Sequence, residues 1–187
     1  ERERERERER EMTELRHVEH ARARLVKQSR LEQILDSDEW SAEEKLDGWR
    51  FMMHFGGGLS RPHLVGRRVS DVTGEFSEKG LLVQCLWPSH SRVRECDYTA
   101  LDGEIMPPVG ADFRDLASIL NASPEISAKT IERLGTPVFR VFDAPIWDGQ
   151  DWRSAPQNLR RMVTPDIVRW LEHDLICPVE SMLHGKR

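Results

Sequence analysis

Lys45-Leu46-Asp47-Gly48-Trp49-Arg50 runs directly into Phe51-Met52-Met53-His54-Phe55 and then into Gly56-Gly57-Gly58. Arg50–Phe55 has the apolar and aromatic content of a strand. The glycines read as a turn, because glycine alone enters left-handed backbone conformations without steric penalty. A second strand is expected at Pro62–Arg68. Short strands joined by such a turn set the texture of the middle of the chain, and the rest is read outward from them.

Upstream, Leu15, Val18, Ala21, Leu25, Leu31 and Leu35 recur at roughly helical spacing, so residues 13–35 are expected to be a helix that ends at Asp36-Ser37-Asp38. Downstream, the pattern predicts a short helix over Phe76–Leu86 with Leu81, Leu82 and Cys85 as its buried side. A strand is predicted over Thr99–Met106, stopped by Pro107-Pro108. Helices are predicted at Phe113–Leu120 and Ser127–Leu134. Val138–Ile146 reads as a buried strand followed by the turn signal Asp148-Gly149. Leu159–Leu171 reads as a helix interrupted near Pro165, and Pro178–Leu183 as the start of a further strand. Strands and helices mix without βαβ alternation, which argues for an α+β fold with mainly antiparallel sheets flanked by helices. There are no internal repeats. GxGxxG and GxxxxGK[ST] strings are absent, so Rossmann and P-loop nucleotide sites find no support.

The 187 residues suit one domain, and a hydrophobic fraction of 38 % is enough for a core. The charged fraction of 33 % is high, partly because residues 1–11 alternate Glu and Arg. That run holds 6 Glu and 5 Arg, and without it the net charge moves only from −5 to −4. Alternation places like charges at i,i+4, so the run is a poor helix. It reads as a tag or upstream addition before Met12, or as a polyampholyte arm. The three cysteines are odd in number and lack metal-ligand spacing, which points to a reducing compartment. No apolar run reaches the roughly 18 residues of a membrane span. A soluble, monomeric protein of the cytoplasm is expected. Its mild acidity is compatible with a local basic groove for DNA.

Four strings carry potential chemistry. Lys45 is an amine, and an ordinary lysine with a pKa of about 10.4 is protonated near neutrality. Desolvation or neighbouring positive charge would make it a nucleophile. Asp47 shares its face in an extended segment, and Gly48 permits close backbone approach. Alone, the string reads first as a surface lysine beside a turn. Asp102 and Glu104 lie at i,i+2 in Leu101-Asp102-Gly103-Glu104-Ile105, so a strand projects both to one face. Such a pair suits Mg²⁺ or ribose hydroxyls, or is simply a polar strand end. Phe142, in Phe139-Arg140-Val141-Phe142-Asp143, can stack on a purine or fill a core. Arg67-Arg68 can bind phosphate or form a solvated basic turn.

Taken in order, Lys-x-Asp-Gly-x-Arg, Arg with Asp71-Val72-Thr73, Asp-Gly-Glu-Ile, and Phe-x-x-Phe-Asp followed by Asp-Gly resemble the ATP-dependent DNA ligase family. More broadly they are similar to covalent nucleotidyltransferases, which include RNA ligases and mRNA capping enzymes. The resemblance covers about residues 40–162 and implies a ligase-type nucleotidyltransferase (ATP-grasp-like) fold. Residues 1–11 would then be a tag-like run, 12–39 a helical lead, and 40–187 a partial adenylation domain, incomplete at its C-terminus.

By this resemblance Lys45 attacks ATP, with Mg²⁺, and carries AMP for transfer to a nick in duplex DNA. Glu43 matches the position that contacts the adenine amino group, and Arg50 the arginine that contacts ribose and then the nick phosphate. Arg67 matches an arginine near ribose or DNA phosphate. Glu104 matches the carboxylate that binds ribose or assists the metal, and Phe142 the ring that stacks on adenine. The family's later Glu-Gly-x-Val-x-Lys and Lys-x-Lys strings are absent, so the chain is not expected to seal nicks unaided. An RNA ligase or GTP-using capping enzyme, a catalytically dead nucleotide- or DNA-binding module and a non-functional fragment remain open alternatives.

Overall fold

A computed structural model of the chain describes residues 27–35, 42–69 and 76–182. The predicted helical lead therefore lies mostly outside the described residues. Its last part, Gln28–Leu35 (α1), is helical, and Leu31 on it is exposed.

The strands are Ala42–Glu43 (β1), Trp49–Phe55 (β2), His63–Val69 (β3), Phe76–Glu78 (β4), Thr99–Met106 (β5), Val138–Trp147 (β6), Gln150–Asp151 (β7), Ile176–Pro178 (β8) and Ser181–Met182 (β9). The main sheet has the order β4-β3-β2-β5-β6-β7, all antiparallel, and β8 joins β6 in parallel. The short strands β1 and β9 pair separately. The helices are His90–Glu95 (α2), Phe113–Leu120 (α3), Pro124–Leu134 (α4) and Gln157–Trp170 (α5). The α+β expectation holds at this level.

Strand alternation sorts the two faces of the sheet. Phe51, Met53 and Phe55 of β2 point into the main core with Leu116, Ile119 and Leu120 of α3 and Ile167 and Val168 of α5. The helices thus cover one face. Arg50, Met52 and His54 point to the other face, where Met52, Tyr98, Ala100 and Ile146 form a smaller apolar cluster. That face carries the candidate site.

Turn chemistry fixes the pairing. Gly56, Gly57 and Gly58 all have positive φ (76°, 58° and 84°), as the turn between β2 and β3 requires. Asp148 and Gly149 also have positive φ, closing the tight hairpin of β6 and β7. The Asp148 carboxylate accepts the Asp97 N–H at 2.8 Å and so ties this hairpin to the start of β5.

Two expectations are corrected, and one helix was not foreseen. Phe76–Leu86 is not a helix but the edge strand β4 followed by two 3₁₀ turns, Gly80–Leu82 and Gln84–Leu86. The Glu78 carboxylate causes the break. It accepts from the N–H groups of Gly80 (2.8 Å) and Leu64 (3.3 Å) and pairs with Arg61. Val83 and Leu86, three apart as 3₁₀ geometry brings them together, are the buried hydrophobic residues, whereas Leu81 is 42 % exposed. Helix α5 runs through Pro165 without interruption. Thr164, Ile167 and Val168 are buried against the core, and this packing outweighs the hydrogen bond that proline removes. The helix α2, capped by the Ser89 hydroxyl, was not anticipated. Among the described residues no helix is long and apolar enough to cross a membrane.

Candidate active site

The segment before β2 lies against the end of β5. A Cβ on Gly48 would collide with the carbonyl oxygen of Ile105 and lie 2.9 Å from both Glu104 Cγ and Met106 Sδ. Glycine is therefore required here for close approach, not for a left-handed turn. The Gly48 N–H donates to Glu104 Oε1 at 2.6 Å, a charge-assisted bond that ties the lysine segment to β5. Lys45 and Asp47 are exposed three residues and one residue before that anchor.

Arg50 is held by a two-pronged contact: Nε donates to Asp102 Oδ1 at 3.0 Å and Nη2 to Oδ2 at 2.6 Å. Asp102 is buried. The guanidinium also lies over the Phe142 ring, 4.8 Å from its centroid. Register explains these meetings. Arg50 pairs with Glu104, and Met52 with Asp102, on the antiparallel β2–β5 ladder. Directly opposed residues share a face of the sheet, and a diagonal neighbour such as Asp102 is within reach of a long side chain.

Phe142 reaches this face through a β-bulge. Gly103 opposes Val141 and Asp102 opposes Asp143, so Phe142 between them has no partner on β5. A bulge re-aims side chains, and here the flanking Val141 stays buried while the half-buried Phe142 ring joins the cleft wall. Asp143 anchors the bulge. It accepts from Arg160 Nε and Nη2, both at 2.8 Å, and from the following Ala144 N–H at 2.8 Å.

Together these elements enclose a cleft of about 990 Å³. Lys45, Arg50, Arg67, Glu104 and Phe142 all line it, so five of the six residues singled out by sequence meet in one place. Glu43 pairs through its backbone with Ser181, and its side chain lies outside the described residues. The cleft has contributors that the sequence reading missed. Phe113, at the start of α3, packs against Trp49 with ring centroids 5.9 Å apart, and both line the wall. The signal for α3 was legible as a capping box between Asp112 and Asp115, but nothing marked Phe113 as a cleft residue. Glu44 and Val179 also line the cleft without a sequence signal.

The cleft carries charge of both signs. Lys45, Arg50 and Arg67 supply cationic groups and Glu44 and Glu104 carboxylates, and Arg50 is already paired with Asp102. Burial pushes the Glu104 carboxyl above the ordinary glutamate range, while the Gly48 N–H, Lys45 and Arg50 pull it back. Asp102 is committed to Arg50, so Asp102 and Glu104 do not form a paired carboxylate site. Among the described residues no three His, Cys, Asp or Glu side chains converge to hold a metal ion. Mg²⁺ suits this donor set only in the way it usually binds nucleotides, through one or two carboxylates plus substrate phosphates and water. Glu104 can supply the carboxylate.

No protein-family model matches the chain, and no curated protein matches its sequence. Solved structures do resemble it. One is mycobacterial DNA ligase D complexed with ATP and MES, at 17 % identity and a TM-score of 0.50, covering 76 % of this chain and 40 % of that one. Another is the ligase domain of LigD from M. tuberculosis, at 19 % identity and a TM-score of 0.52, again with 76 % and 40 % covered. The chain thus spans well under half the length of these neighbours. The likeness is one of fold: an α+β architecture whose antiparallel sheet resembles that of a ligase domain.

Proposed function

We propose that this chain is the adenylation part of an ATP-dependent DNA ligase. In this reading the Lys45 amine attacks the α-phosphorus of ATP. A P–N bond forms, the bond from the α-phosphorus to the bridging oxygen breaks, pyrophosphate leaves, and the amine proton is lost to solvent. The lysyl-AMP then delivers AMP to a 5′-phosphate at a nick in duplex DNA. The observation that carries the reading is the convergence of Lys45, Arg50, Arg67, Glu104 and Phe142 on one cleft, from four strands and a loop.

Each side chain has a task that fits its place. Phe142 offers a ring face for the adenine, and Glu104 a carboxylate for the ribose or the metal. Arg50 and Arg67 supply charge for phosphate, and Glu43 is assigned to the adenine amino group. Mg²⁺ bound with the triphosphate would offset its charge and favour the neutral amine. Transfer of this kind rests on positioning and electrostatics, which a Gly48 segment pinned to Glu104 supplies.

The test is incubation with Mg²⁺ and α-labelled ATP or GTP, followed by a search for an acid-labile protein adduct. ATP label that disappears in Lys45→Ala supports the reading. Label from GTP would redirect it to capping chemistry, and label that persists in Lys45→Ala would refute the assignment of the nucleophile.

A further inference from the structure

Arg140 is the cation on this face of the sheet that the reading above leaves without a task. Register places it directly opposite Glu104, which is itself directly opposite Arg50. One step beyond the Phe51↔Gly66 pair, Arg67 stands at the β3 end of the same transverse row. The row across four strands is therefore Arg67, Arg50, Glu104, Arg140, with Cys177 of β8 beyond it.

Arg140 differs from four other half-buried arginines of the described chain. Arg50, Arg61, Arg92 and Arg160 each pair with a carboxylate: Asp102, Glu78, Glu172 and Asp143. Arg140 is half-buried, its Nε is sealed from solvent, and this Nε has no hydrogen-bond partner. No ion pair involving Arg140 occurs among the described residues. Its cross-strand neighbour does not neutralise it, because Glu104 Oε1 is committed to the Gly48 N–H and the cations acting on Glu104 are Lys45 and Arg50. A partly desolvated guanidinium without an anion is costly, and its planar fork matches phosphate oxygens.

We propose that Arg140 binds a phosphate group of the polynucleotide acceptor. This rests on the adenylation reading in one respect. That reading sends the nucleotide's phosphates to Lys45 in the cleft, and gives Arg50 and Arg67, on the β2 and β3 side of Glu104, to ribose, nucleotide phosphate or the nick phosphate. Arg140 stands on the opposite side of Glu104, two residues along β6 from Phe142. It is not among the residues that line the cleft, so the phosphate it takes is not the nucleotide's, and the acceptor strand, which carries phosphates beyond the nick, is the component that brings it.

The experiment compares the full chain with Arg140→Ala and Arg140→Gln. Binding of a fluorescent nicked duplex carrying a 5′-phosphate is followed by anisotropy over a range of salt concentrations, and Lys45 labelling and ATP affinity are measured in parallel. The expected result is a loss of about 10-fold or more in duplex affinity and a fall of about 0.9 in the slope of log K against log salt, the signature of one lost phosphate contact. ATP affinity and Lys45 labelling should stay within about 3-fold of the parent. A salt slope unchanged in both variants overturns the proposal. Weakened ATP binding with unchanged duplex binding also overturns it and assigns the residue to the nucleotide instead. Absence of labelling in the parent chain refutes the adenylation reading alone, because the salt slope still reports the phosphate contact.

Discussion

Replacing Asp102 with alanine removes the acceptor of both bonds that fix Arg50. Asp102 has 5 % of its side chain exposed and Arg50 26 %, so one partner is buried and the other only partly so. Breaking a fully buried pair by deleting one member typically costs about 3–5 kcal/mol, because a charge is left without compensation. Water reaches part of the Arg50 side chain and recovers some of that loss, so about 2–3 kcal/mol is expected here. For a chain of this size each kcal/mol moves the melting temperature by about 2–4 °C. The shift should therefore be about 4–12 °C downward. Arg50→Ala leaves the buried Asp102 carboxylate without its strongest donor and should cost a similar amount. The informative measurement is the double-mutant cycle, by thermal or urea unfolding of both single variants and the double variant. If the contact has the geometry described, the coupling energy should be about 2 kcal/mol. Additivity within about 0.5 kcal/mol would refute the argument that these two residues act as a pair.

Gly48→Ala should displace the lysine segment, since the methyl group meets the Ile105 carbonyl and the flanks of Glu104 and Met106. Lys45 labelling is expected to fall at least 10-fold while the far-ultraviolet circular dichroism is unchanged, and near-parental labelling would contradict the geometry. Glu78 gives a prediction in pH. Burial pushes its carboxyl up, but Arg61 and the N–H groups of Gly80 and Leu64 outweigh that and hold it below 4.5. The folded state then binds fewer protons than the unfolded state, so this stabilisation is complete above about pH 4.5 and is lost as pH falls through the lowered value. Glu78→Gln should flatten the acid limb of stability against pH, which urea unfolding at stepped pH would detect. Phe142→Ala should weaken ATP binding by about 1–3 kcal/mol if the ring stacks on the base, and Phe142→Trp should retain most of the affinity, both readable by calorimetry.

The strands β2, β5 and β6 and the turns at Gly56–Gly58 and Asp148-Gly149 were legible because their signals are local. Apolar content and turn residues decide them without reference to the rest of the chain. The Phe76–Leu86 stretch was misread because its decisive contacts are remote. Glu78 reaches Arg61 and Leu64, and those bonds select an edge strand and 3₁₀ turns over the helix that Leu81, Leu82 and Cys85 suggest. Pro165 misled for a related reason. A local rule against proline in helices is overridden where Thr164, Ile167 and Val168 are held by the core.

The candidate site shows the same division between local and remote information. Residue types and order announced Lys45, Arg50, Arg67, Glu104 and Phe142, but not how they would meet. Asp102 and Glu104 looked like a matched pair by spacing, yet the two-stranded register gives Asp102 to Arg50 and Glu104 to Gly48. Phe142 would be one more alternating residue of β6 without the extra residue that opens the bulge, and no feature of Phe139–Asp143 alone specifies which residue of β5 it faces. Arg140 is the complementary case. Its place in the transverse row follows wholly from register, and its lack of a carboxylate partner among the described residues is a property of every strand around it. Pairing between strands, more than any single motif, therefore decides which charges of this face are neutralised within the chain and which are left for a ligand.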